Sequence, residues 1–138
     1  MPPNLPAVLT SLGARPSREA FDDVTALLGG SLSPLAGIRR NRLAEVDASE
    51  FSSQEVMEWL VGLPINPDAD VRVAWAADRT GARMKFATFA GRVSDLWFPA
   101  MDDVLVLAES DATVDVLVLD HEERLTFSRI DSLGQEKI

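Results

Sequence analysis

The chain has 138 residues, 46% of them apolar and 25% charged, with no cysteine and a formal net charge of −9. That composition belongs to a single soluble globular domain with a hydrophobic core of its own. It excludes disulfides, a thiolate nucleophile and cysteine-ligated zinc, and it argues against binding nucleic acid through a basic field.

The first half reads as helical. Leu5, Val8, Leu9 and Leu12 form a 3.6-residue stripe that stops at Gly13. Pro16 and Ser17 precede a second stripe of Phe21, Val24, Leu27 and Leu28 that ends at Gly29-Gly30. Ser17 can cap the free amides there, while Glu19, Asp22 and Asp23 complement the positive helix start. Ser33-Pro34 starts a short helix with Leu35 and Ile38 inward, and the basic run Arg39, Arg40 and Arg42 closes it. Ser52-Ser53-Gln54-Glu55 is a capping box leading into Val56, Trp59, Leu60 and Leu63, stopped by Gly62 and Pro64.

After Pro67 the period changes to two. Val71, Val73 and Trp75 alternate with Arg72 and Ala74; Asp78-Arg79-Thr80-Gly81 has hairpin-turn composition; Met84 and Phe86 alternate with Arg83 and Lys85. A short strand is expected across Leu96-Trp97-Phe98, ended by Pro99. Val104–Leu107 and Val116–Leu119 are apolar at every position, which implies strands covered on both faces. Helices can cover one face; a loop, a second subunit in a homodimer or a bound partner must cover part of the other. The connectors are too short for crossover helices, so neighbouring strands are antiparallel. The expected fold class is α+β: N-terminal helices packed on a C-terminal antiparallel meander sheet of about five or six strands. Residues 1–130 form one domain and residues 131–138 a flexible C-terminal tail.

Charge is uneven along the chain. From Asp95 to Ile138 there are eleven acidic residues against Arg124, Arg129 and Lys137, a balance of −8, whereas residues 1–94 carry only −1. An up-and-down sheet places every second turn at the same end. The turns around Pro99–Asp103 and Asp120–Glu123, each with two or three carboxylates, are therefore expected to be neighbours. Such a surface attracts a basic protein and repels nucleic acid.

The catalytic inventory is thin. His121 is the single histidine, there is no tyrosine, and no phosphate loop or nucleophile elbow is present. Asp102, Asp103, Asp120, His121 and Glu122 could serve a metal-dependent hydrolase, but a solvated acidic turn accounts for them more simply. No catalytic residue, cofactor site or metal site is assigned. The candidate partner-binding residues are Trp97, Phe98, Asp102, Asp103, Asp120, Glu122 and Glu123: an aromatic pair as anchor, carboxylates to select a basic partner. The start Met1-Pro2-Pro3-Asn4 lacks a basic n-region and no stretch approaches the roughly 20 apolar residues of a membrane span, so a cytoplasmic protein without membrane partners is expected.

The segment Asp95-Leu96-Trp97-Phe98-Pro99 through Asp102-Asp103, the apolar run, then Leu119-Asp120-His121-Glu122 and Phe127 resembles the C-terminal sheet of SUKH-type bacterial proteins. The resemblance covers about the last 45 residues. It implies an α+β, non-enzymatic immunity protein that binds and neutralises a cognate toxin through an acidic surface, and it carries over no individual site residue. An acidic secretion chaperone of similar size is the rival reading within the same class.

Overall fold

The computed structural model describes residues 5–27, 42–76, 79–98, 103–109 and 113–131. Helices α1 (Leu5–Ser11) and α2 (Arg18–Leu27) come first, then strand β1 (Arg42–Asp47) and helix α3 (Ser53–Val61). The hairpin β2 (Asp70–Trp75) and β3 (Thr80–Lys85) leads into two short helices, α4 (Phe86–Gly91) and α5 (Val93–Leu96). Strands β4 (Val104–Glu109), β5 (Thr113–Leu119) and β6 (Arg124–Asp131) complete the regular structure among the described residues. All strand pairs are antiparallel in one six-stranded sheet of order β1-β6-β5-β4-β2-β3. The α+β class and the C-terminal meander are as expected.

The sheet is covered on both sides. One face carries Val71, Val73, Trp75, Val106, Leu117, Leu125 and Phe127 under α1, α3, α4 and α5, which contribute Leu5, Leu9, Leu60, Phe89 and Leu96. The indole N–H of Trp75 donates to Leu96 O at 2.7 Å, so this large ring is buried with its polar atom satisfied. The other face carries Ala74, Leu105, Leu107, Val114, Val116 and Val118 with Phe21 and Val24 of α2. The residues of the two Val/Leu runs are each at most 1% exposed within the single chain. No second subunit is needed to bury them.

Local chemistry explains several of these elements. Ser17 Oγ accepts from Ala20 N at 3.1 Å and caps α2. In α3, Ser52 Oγ accepts from Glu55 N at 3.2 Å and Ser52 N donates to Glu55 Oε1 at 2.8 Å, the two halves of the capping box. Gly13 ends the first helical segment with φ +77°, a left-handed conformation that glycine adopts without steric cost. Gly81 lies inside β3, beyond the turn where its composition placed it, and there it meets the start of α2. Ser17 N donates to Gly81 O at 2.8 Å and Gly81 N donates to Ser17 O at 3.0 Å. Asp23 of α2 then reaches Arg83 at 2.6 Å and Arg72 at 3.9 Å on the same face.

Four expectations are corrected. Residues 96–98 are not a strand: Leu96 ends α5, and Trp97 and Phe98 follow it outside regular structure. Phe86, Phe89, Ala90, Val93 and Leu96 recur at helical spacing and are all buried, so that stretch folds as α4 and α5. The first half is not purely helical either. Arg42 belongs to β1, whose Ala44 and Val46 turn toward the core beside Phe127 and Leu125. Asp131, expected to begin the flexible tail, is instead the last residue of β6, paired with Thr113. The readings made on Leu28, Gly29-Gly30, Ser33–Ile38, Arg39, Arg40, Asp78, Pro99 and Asp102 lie outside the described residues, as do residues 132–138 of the expected tail.

Candidate functional site

The β5–β6 turn is built around a buried carboxylate. Asp120 is 3% exposed, and its Oδ1 accepts from Glu122 N at 2.9 Å and from Arg124 N at 3.0 Å. Asp120 N also donates to Arg124 O, and Glu123 N donates to Asp120 O, closing the hairpin. Glu123 takes the left-handed position of this turn with φ +63°. Glycine usually fills that position, and a side chain there carries a conformational cost of about 1–2 kcal/mol. The same residue accepts from Ala48 N at 2.8 Å, tying the turn to the segment that leads into α3.

The second acidic segment meets this turn through Asp103. His121 N donates to Asp103 Oδ1 at 2.7 Å, and His121 Nδ1 lies 2.9 Å from the same oxygen. The hydrogen bond to Asp103 holds the His121 imidazolium above its ordinary pKa of 6.5, with the Asp103 charge adding to the effect. Ala76 N donates to Asp103 O at 3.1 Å, which fixes the backbone at the start of β4. The expected convergence of the two turns therefore holds at Asp103 and His121.

The candidate residues divide by what each already does. Asp120 faces inward and serves the turn; Asp103 serves the link to His121. Glu122 is exposed and Glu123 half-buried, and neither has a Lys or Arg ion-pair partner among the described residues. Two bases of the last third are spent elsewhere: Arg129 forms a bidentate pair with Asp115 at 2.6 and 3.2 Å, and Arg124 lies 3.7 Å from Glu45. Trp97 is 7% exposed and Phe98 half-buried, so neither is a free-standing anchor. Trp97 instead forms part of the wall of a shallow hollow of about 160 Å³ beside Glu123. Ala48, Phe51, Val56 and Val93 complete its apolar lining, and Ser53, Ser94 and Glu123 are its polar lining. The Trp97 indole N–H is buried without a hydrogen-bond partner among the described residues.

Sequence reasoning missed Phe51, Val93 and Ser94, which reach this hollow from α3's approach and from α5. The helical spacing across residues 86–96 was the signal that would have placed Val93 beside Trp97. Among the described residues no three His, Asp or Glu side chains gather around a point where a metal ion could sit, and no helix is long and apolar enough to cross a membrane. No family model, curated protein or solved structure matches the chain.

Proposed function

We propose that the protein is a non-enzymatic interaction domain that binds a basic protein, and that this partner is a toxin domain neutralised in the cytoplasm by the chain acting as an immunity protein. One observation carries the reading: Glu123, which has no Lys or Arg ion-pair partner among the described residues, lines an apolar-walled hollow of side-chain size, with the exposed Glu122 beside it in the chain. An arginine or lysine of a partner places its aliphatic stem against Phe51, Val93 and Trp97 and its charged head at Glu123. Toxins that act on nucleic acid carry basic active sites, and a field of net charge −9 steers such a surface toward the acidic end. The resemblance of the C-terminal third to SUKH-type proteins supports the same reading. Glu122 and Glu123 are its contact residues, with Asp103 and Asp120 holding the turn in place.

Co-expression with the product of the adjacent reading frame tests it. The expected result is a complex on gel filtration and restored growth of a host that the partner alone inhibits. Reversing charge at Glu122 and Glu123 should slow association, and the wild-type rate should fall steeply as salt shortens the screening length below about 10 Å. No complex, or an on-rate indifferent to both salt and charge reversal, would overturn the proposal.

A further inference from the structure

The hollow beside Glu123 holds a polar group that the acidic turn does not account for. Trp75 and Trp97 bury their rings in the same core, yet their indole N–H groups differ. That of Trp75 donates to Leu96 O at 2.7 Å. That of Trp97, a wall of the hollow, has no acceptor among the described residues. Buried donors are nearly always paired, and an unpaired one in such a wall is open to an acceptor brought by whatever fills the hollow.

The lining itself supplies none. Glu123, Ser53 and Ser94 carry all the side-chain oxygens of the described lining, and none of them accepts from Trp97. A lone cation cannot supply one either, because ammonium and guanidinium groups donate hydrogen bonds and accept none. A lysine or arginine head at Glu123 would fill the hollow, exclude water and still leave the Trp97 N–H without a partner. Glu123 is the one charged residue of the described lining, and the bases next to it and to Val93 in sequence are held elsewhere: Arg124 lies 3.7 Å from Glu45, and Arg92 Nε donates to Asp95 at 2.8 Å. An anionic acceptor would meet the Glu123 carboxylate in a half-buried space, so the acceptor that fits is neutral. A peptide carbonyl is the neutral acceptor that any segment of a protein partner carries.

We propose that the hollow reads a basic residue together with a main-chain carbonyl of the same partner segment, the cation going to Glu123 and the carbonyl oxygen accepting from the Trp97 indole N–H. This rests on the reading of the acidic turn as the site of a basic protein, and adds to it a neutral contact that salt screens little. The site then favours a cation carried on a peptide over the same cation free in solution.

Three small probes separate the two contacts. N-acetyl-arginine methylamide carries cation and carbonyls, butylguanidinium the cation alone, and N-acetyl-norleucine methylamide the carbonyls alone. Each is titrated into the full chain and followed in nitrogen-edited NMR spectra, which report the indole N–H groups of Trp59, Trp75 and Trp97 separately. Both guanidinium probes should shift the Glu123 and Ser94 amides, and Glu123→Gln should weaken both alike. Only the arginine amide should move the Trp97 indole N–H downfield, with that of Trp75 unmoved, and it should bind about fivefold more tightly than butylguanidinium. Trp97→Phe keeps an aromatic wall but removes the donor, and should bring the two guanidinium probes within about twofold of each other. If that variant fails to fold, the indole shift of the unaltered chain decides alone. A Trp97 N–H that stays put, or moves equally with butylguanidinium, would overturn the carbonyl contact while leaving the acidic turn as a cation site. Equal affinity for the norleucine amide would overturn the joint reading of cation and carbonyl. No shift at Glu123 or Ser94 with either guanidinium would overturn this proposal and the cation site together.

Discussion

Gly81→Ala tests how α2 is seated on the sheet. A Cβ at this position would lie 2.7 Å from Phe21 N, 2.7 Å from Val73 O and 3.0 Å from Ala20 C. All three are backbone atoms, so no side chain can rotate out of the way, and the start of α2 must move off β3. The movement strains the two Ser17–Gly81 hydrogen bonds, at 2.8 and 3.0 Å, and loosens Phe21 and Val24 on Ala74 and Leu105. Overpacking of this kind costs about 1–3 kcal/mol, and each weakened hydrogen bond up to about 1 kcal/mol. Against this, alanine restricts the unfolded chain and returns about 0.4–1 kcal/mol. The net expectation is a loss of about 2–4 kcal/mol, read in urea melts followed by tryptophan fluorescence as a midpoint lowered by about 1 M or more with an unchanged slope. Hydrogen exchange supplies a local readout, because the Ser17 and Gly81 amides should lose protection before those of β5. A loss below about 1 kcal/mol, or undiminished protection at Ser17, would refute the close-approach argument.

Other expectations follow from single side chains. Leu117, fully buried in the central strand β5, should cost about 2–5 kcal/mol when replaced by alanine, and less than about 1 kcal/mol in the same melts would contradict its place in the core. Asp120→Ala removes the acceptor of two turn amides and should destabilise by about 1–3 kcal/mol, with Asp120→Asn milder; equal stability of all three proteins would remove its role in the turn. His121 should titrate above 6.5 by NMR, and Asp103→Asn should bring it down toward that value. Because the folded-state pKa is raised, this pair's contribution to stability is complete below the unfolded value and is lost as pH rises through the folded one. The stability gap between wild type and His121→Gln should accordingly be larger near pH ~5.5 than near pH ~8.5, and a His121 pKa at or below 6.5 would contradict the Asp103 contact.

Much of the sheet was legible because period-two patterns and unbroken apolar runs leave few alternatives. Val71, Val73 and Trp75 could only be one face of a strand, and the runs at 104–107 and 116–119 demanded cover on both sides. β1 was hidden because Arg42-Leu43-Ala44-Glu45-Val46-Asp47 directly follows a basic run that suits a helix end, and its bulge at Leu43 blurs the alternation. Helices α4 and α5 were hidden because Met84 and Phe86 continue the β3 alternation up to the residue where the helix begins. At the acidic end, the convergence of two turns followed from strand direction alone. The division of labour within it did not, since Asp120 and Glu122 are equivalent in composition and only the turn's backbone decides which one it encloses.

The pairing of β1 with β6 also sets an order for events at the ribosome. Glu45 and Thr126 lie opposite each other although 81 residues separate them. At about 5–20 residues per second, β1 leaves the exit tunnel several seconds or more before its neighbour has been made. Late in that interval, once it has been made and until β6 follows, β5, apolar on both sides through Val114, Val116, Leu117, Val118 and Leu119, stands as a temporary border of the nascent sheet. Chains interrupted before Arg124 would keep that border permanently and should aggregate, whereas completed chains exchange it for the shorter and more charged β1.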